Sequence, residues 1–240
     1  MRSIKAIFKK QLKDTLKNPA VLIQFIIFPL IAFLMNMVMN IDGLPEEMVA
    51  NMPNMVTMQA TIFAGMGLIP IVAGIIAEDI ERKSLRFLMM AGVKPSAYLI
   101  GVSGVIFIVS FFTSVAFGFI SEFNGQDFWV FVGAMMSGVA ASIVLGATIG
   151  ILTKNQQAAT ALSMPAAIIF GFGPMMAQFN ETIARALHIV YTQQLNVVTG
   201  YLTIGGAETG LWQSFAIIWA NVVVLAALFA IAYKKKGLRN

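Results

Sequence analysis

MVANMPNMVTMQATIFAGMGLIPIVAGIIA (48–77), EDIERKSLRFLMMAGVK (78–94) and PSAYLIGVSGVIFIVSFFTSVAFGFIS (95–121) are consecutive in the chain, and their contrast decides the fold. Neither outer run contains an Asp, Glu, Lys or Arg, whereas the middle one is dense in them. Each outer run exceeds the roughly 20 apolar residues needed to cross a hydrocarbon core about 30 Å thick. A charge at mid-span costs at least about 2.5 kcal/mol on insertion scales. The abrupt confinement of charge to 78–94 therefore reads as two membrane crossings joined by a water-facing connection.

The same pattern continues outward. Uncharged stretches lie at 18–41, 48–77, 95–121, 128–153, 155–180 and 209–233. They predict transmembrane helices at 20–40, 57–77, 96–120, 128–152, 158–178 and 211–233. Composition agrees: 58% of the 240 residues are hydrophobic, 11% are charged, and the mean hydropathy is +0.82. A soluble domain carries about 25% charged residues, so lipid must be the outer solvent here. The expectation is an all-α integral membrane protein whose residues 1–240 form one transmembrane domain. A seventh uncharged stretch, 189–207, holds Thr192, Gln193, Gln194, Asn196, Thr199 and Gly200 and few strong hydrophobes. It reads as part of an external re-entrant or interfacial segment spanning 179–208.

Basic residues orient the spans. Fifteen of the sixteen Lys and Arg residues flank spans on one side: six before the first span, four within 82–94, Lys154, and four after the last span. Arg185 alone lies on the other. The positive-inside rule places the fifteen, and both termini, in the cytoplasm of a multi-pass plasma-membrane protein. Within 1–18, Ile4, Phe8, Leu12 and Leu16 lie on one helical face, and Lys5, Lys9, Lys13 and Lys17 on the next. That pattern predicts an amphipathic helix along the cytoplasmic leaflet, ended by Asn18-Pro19. A signal peptide is excluded by the long basic region and the lack of a small-residue cleavage pattern. A net charge of +5 clustered beside spans points to anionic head groups rather than nucleic acid.

The segment 78–92 is the most informative for function. Ile80, Leu85, Leu88 and Met89 have helical spacing among Glu78, Asp79, Glu81, Arg82, Lys83 and Arg86, and Gly92 and Pro95 end the run. A connection this long, with an apolar stripe and mixed charge, suits the docking of a partner protein better than a tight loop does. This part of the sequence resembles the ABC-2-type permeases, the membrane subunits of ATP-binding cassette exporters. In that family an acidic pair one residue apart follows the second span. A Gly-Thr-Leu-like step, a short helix and a Pro come next. Asp79 and Glu81 match the pair, Ser84-Leu85 the Thr-Leu, and Pro95 the proline. Tyr98 and Gly101 match the start of the third helix. Lys83 occupies the family's usual glycine position, which puts the shape of the local turn in question.

The resemblance extends to the N-terminal helix, the six spans and a long external segment before the last span. It implies that 78–92 is a coupling helix, in which Asp79, Glu81, Arg82, Ser84, Leu85, Arg86 and Phe87 transmit motion from a separate ABC ATP-binding subunit acting as a dimer. It also implies a second permease copy or paralogue. ATP and magnesium would then be bound by the partner and no cofactor by this chain. In agreement, the sequence has no GxxxxGK[ST] loop and no Gly-Lys dipeptide. In the external segment, Asn180 is placed as a helix N-cap, with Glu181 in the first turn.

Other residues are weighed and set aside. Met35, Met37, Met39, Met48, Met52, Met55 and Met58 crowd the first external loop, and thioethers can select Cu(I). Their irregular spacing and the absence of cysteine favour ordinary apolar filling. Gln24, Asn36, Gln59 and Asn221 are candidate pathway residues, although interhelical hydrogen bonding is the commoner use of such groups. The external acids (Asp42, Glu46, Glu47, Glu122, Asp127, Glu181, Glu208) lack histidine partners, and His188 stands alone. No catalytic constellation is apparent. The reading is an exporter permease moving a substrate such as an antimicrobial peptide, a drug or another amphiphile; the alternative is a stand-alone secondary transporter or channel. The topology has a direct check, since the chain lacks native cysteine. Cysteines placed at Lys154 and Lys235 are expected to label only from the cytoplasm, and those at Glu47 and Glu208 only from outside. Labelling from both sides would break the assignment.

Overall fold

The computed structural model describes residues 2–39, 55–204 and 209–238, and every regular element among them is helical. As the apolar runs predict, six helices are long and apolar enough to cross a membrane: Pro19–Val38, Met55–Glu81, Pro95–Ile120, Gly125–Leu152, Gln156–Phe179 and Gly210–Lys235. Met48, Met52, Asp42, Glu46, Glu47 and Glu208 lie outside the described residues.

In chain order, α1 is Arg2–Lys17 and α2 is Pro19–Met39. The second span combines α3 (Met55–Ile62), a π-helical stretch (Phe63–Gly67) and α4 (Leu68–Glu81). The short α5 is Ser84–Met90, and α6 is Pro95–Ile120. Then come α7 (Gly125–Leu152), α8 (Gln156–Phe179), α9 (Glu181–Ala186), α10 (Tyr191–Ile204) and α11 (Thr209–Leu238). The second and fourth spans are the most enclosed, whereas α2, α8 and α11 leave most of their apolar surface uncovered. Helix α7 is the hub, packed against α4, α6 and α11. Small residues allow this closeness: a Cβ on Gly146 would sit 2.6 Å from the Ile69 carbonyl oxygen, and one on Gly150 2.6 Å from that of Ala73. Glycines four apart against a neighbouring backbone form the small-xxx-small contact typical of lipid-embedded helices.

The π-helical stretch has a local cause. Pro70 cannot donate to the carbonyl four residues back, and its ring crowds that carbonyl. A widened turn just before it absorbs the mismatch, with the Leu68 N–H bonded to the Phe63 carbonyl. Gly65 then meets α8 so closely that a Cβ there would lie 2.4 Å from the Phe170 carbonyl.

Helix α1 packs lengthwise on α6. The side turned to the protein carries Ile7, Gln11 and Thr15, while Leu12 and Leu16 are exposed beside Lys5, Lys9, Lys13 and Lys17. A slot in α6 sets this rotation, since a Cβ on Gly101 would be 2.7 Å from the Ile7 Cβ. Beyond the fifth span, Asn180 caps α9 as expected, its Oδ1 accepting from Thr182 N at 2.9 Å and Ile183 N at 3.3 Å. Helix α10 has 14 residues, about 21 Å at 1.5 Å per residue. It is too short to cross the bilayer. It packs back among α3, α7, α8 and α11.

The charged connection differs from a single helix over 78–92. Helix α4 runs on to Glu81, the chain turns at Arg82-Lys83, and α5 begins at Ser84. Lys83 has φ 60° and ψ 7°, the left-handed conformation that glycine adopts without penalty. The turn is therefore the glycine-type helix end despite the lysine: Lys83 N–H bonds the Ile80 carbonyl at 3.0 Å. The Ser84 hydroxyl takes up the Asp79 carbonyl at 3.0 Å, a group that a backbone N–H satisfies in the usual Schellman ending. Gly92, at φ 73°, ends α5 with the complete motif, Gly92 N to Met89 O at 3.0 Å and Val93 N to Leu88 O at 3.1 Å. A non-glycine left-handed residue costs about 1 kcal/mol. Lys83→Gly should accordingly raise stability by roughly 0.5–1 kcal/mol in a thermal melt of detergent-purified protein. A lower melting point would contradict this account of the turn.

Candidate functional site

At the end of the molecule that carries Lys10, Arg82, Lys154 and Lys235, one carboxylate gathers four elements. Asp79 sits in the last turn of α4 and is only 5% exposed. Its Oδ1 accepts from Lys10 Nζ of α1 and from Ser84 Oγ of α5, the latter at 2.7 Å. Its Oδ2 accepts from the hydroxyl of Tyr98 in α6 at 2.9 Å, and Tyr98 is fully buried. The Tyr98 ring lies 5.8 Å from that of Tyr233 in α11, whose hydroxyl donates to the Val93 carbonyl at 3.2 Å. A buried carboxylate is tolerated only when its oxygens are saturated by donors. Lysine, serine and tyrosine do so here.

Glu81 makes a second tie. Its Oε2 accepts from Gln156 N at 3.1 Å, at the start of α8, where the helix dipole favours an acid. Asn155 caps the same helix through Ala158 N at 2.8 Å. Arg82 pairs with Glu78 at 2.7 Å across one helical turn, and with side chains 72% and 35% exposed the pair contributes about 0.3–0.5 kcal/mol. Leu85 is 1% exposed in the core, so it seats α5 against the bundle. Phe87 and Met90, three residues apart, project outward at 69% and 75% exposure. Arg86 lies on the exposed side as well and borders an open pocket. Asp79, Ser84 and Leu85 thus form the seat of α5, and Phe87 and Met90 its outer face.

The candidate pathway residues do not converge. Asn36 donates to the Ile120 carbonyl at 3.5 Å, Gln59 to the Met35 sulfur at 3.9 Å, and Asn221 to the Ile189 and Ile217 carbonyls at 2.9 and 2.8 Å. Gln24 is half-buried on α2. Sequence reasoning singled out Thr192, Gln193 and Gln194 but missed their neighbours Tyr191 and Ser142. The Tyr191 hydroxyl and Ser142 Oγ lie 2.9 Å apart part-way along α7, beside those three buried side chains. A lone serine within an apolar helix gave no signal.

The family model for the ABC-2 type transporter matches residues 2–192, from α1 through the start of α10. The chain belongs to the ABC-2 type transporter family. Comparison with curated proteins gives no match. As an ABC-2 membrane component, the chain is the permease part of an ABC transporter and not the ATPase; the family implies an ABC ATP-binding partner.

In this ABC-2 permease the Asp79 cluster can be dissected by a mutant cycle. Asp79→Ala removes the acceptor for a buried Tyr98 hydroxyl and is expected to cost about 2–3 kcal/mol. Tyr98→Phe should cost less. The double variant should fall short of the sum by about 1 kcal/mol in detergent unfolding. Strict additivity would show that the two groups do not act together.

Proposed function

We propose that the chain is the membrane subunit of an ATP-driven exporter, with its basic end in the cytosol and α5 as the coupling helix. One observation carries this reading. Helix α5 is pinned from behind by Ser84 and Leu85 and offers Phe87 and Met90 to solvent at the end where basic residues collect. Two large apolar side chains on one exposed face, beside Arg86, are what a partner's groove would take. Glu81, occupied by Gln156 N, acts in this scheme as a link to α8 rather than as a rim contact.

Closure of the ATPase dimer would push on α5. Its seat is Asp79, which is also bonded to Lys10 of α1 and Tyr98 of α6. The push therefore reaches the second and third spans and the N-terminal helix together, and Tyr233 carries it to the last span. Such a rigid junction suits a switch between inward- and outward-facing states. Two copies would enclose the pathway, using the uncovered apolar faces of α2 and α8. The cargo in this reading is an amphiphile, such as an antimicrobial peptide or a drug.

Replacing both Phe87 and Met90 with alanine should leave insertion and melting temperature intact. It should lower copurification of the ATPase at least tenfold, because each anchor in such a groove contributes about 1–2 kcal/mol. Undiminished association would remove α5 as the docking element. Transport by the reconstituted chain without nucleotide would remove the ATP-driven reading altogether.

A further inference from the structure

A second feature of the basic end is chemically distinct from the Asp79 cluster. An open pocket of about 620 Å³ lies between α4, α5, α7 and α11. Four cations border it, Lys83, Arg86, Lys154 and Lys235, and no carboxylate lines it among the described residues. Its walls are apolar, with Ile80, Leu85, Ile151 and Ala232 beneath the cationic rim. The pocket stands where α7 and α11 pass from apolar sequence into Lys154 and Lys234-Lys235, the depth at which lipid head groups meet water. Leu152, exposed at 63%, opens it toward the surrounding bilayer.

We infer that this pocket binds an acidic phospholipid of the surrounding bilayer, with the head-group phosphate among Lys83, Lys154 and Lys235 and the upper acyl carbons on the apolar wall. Charge complementarity selects this occupant. Basic pockets between transmembrane helices at a membrane surface attract anionic head groups, and the apolar lining excludes a free, fully hydrated anion as the better fit. The neighbouring polar pocket of about 280 Å³ makes the contrast. There Lys10, Lys17 and Arg82 are matched by Asp14, Glu78 and Asp79, so it has no net attraction for an anion. Because Leu85 and Met89 of α5 form part of the lipid pocket, its occupant would help to brace the helix. The binding itself needs no ATPase and stands apart from the coupling reading.

The test uses the full chain in phosphatidylcholine nanodiscs containing a minor fraction of phosphatidylglycerol, with retained lipid read by native mass spectrometry. The wild type should hold phosphatidylglycerol in preference to phosphatidylcholine. Lys154→Gln with Lys235→Gln should weaken retention roughly twenty-fold, about fivefold per cation. Lys9→Gln with Lys13→Gln removes the same charge elsewhere and should change it little. Ala232→Trp fills the pocket with every cation in place and should also abolish retention. Equal loss in both lysine pairs, or full retention by Ala232→Trp, would overturn the proposal in favour of a diffuse surface film. Displacement by inorganic phosphate would overturn it in favour of a simple anion site. Lipid lost from any complex in which the chain copurifies would assign the pocket to a protein partner instead.

Discussion

Asp79 puts a carboxylate in a place where only 5% of its surface reaches solvent. That constraint organises the whole basic end. A carboxylate so placed needs donors on every side. They come from Lys10, Ser84 and Tyr98, residues separated by up to 69 positions in sequence from the acid they serve. Helices otherwise held by nonspecific apolar packing are thereby fixed in one register at this point. Removing any single partner leaves the others with unmet electrostatic demands, which is why buried ionic clusters break more expensively than they form.

The apolar parts of the fold follow a different logic. In lipid there is no hydrophobic drive to bring helices together, so close van der Waals approach must supply it. Gly146 and Gly150 against the Ile69 and Ala73 carbonyls, and Gly65 against Phe170, are the points where backbones nearly touch. They hold the second span between the fourth and fifth. The first, fifth and sixth spans keep broad apolar surfaces outward, as membrane helices do when lipid or a second copy covers them.

Much of this was legible in the sequence. The six spans followed from runs without charge, because the cost of a mid-membrane charge is large and local. Asn180 as a cap followed from side-chain chemistry confined to three residues. What escaped depends on distant partners. Glu78, Asp79 and Glu81 read as the start of a coupling helix over 78–92, yet they complete the second span, with Lys10 and Tyr98 donating to Asp79 and Gln156 N to Glu81. The rotation of α1 escaped too: the Ile4-Leu16 face is split, its Ile4 and Phe8 half-buried and its Leu12 and Leu16 exposed, because α6 receives Ile7 at Gly101 and Phe8 at Gly104. The turn at Lys83 kept glycine's geometry without glycine, since Ser84 on one side and Leu85 in the core hold it there.

The π-helical stretch at Phe63–Gly67 has a consequence for how motion spreads. An α-helix passes torque along its length through an unbroken ladder of equal rings. Where the rings widen to five-residue closure the ladder changes pitch, and the segments on either side turn with some independence. If α5 couples as proposed, torque entering at the Asp79 end of the second span would meet this change of pitch halfway across. The Met55 half would then not have to turn with the basic end as one body.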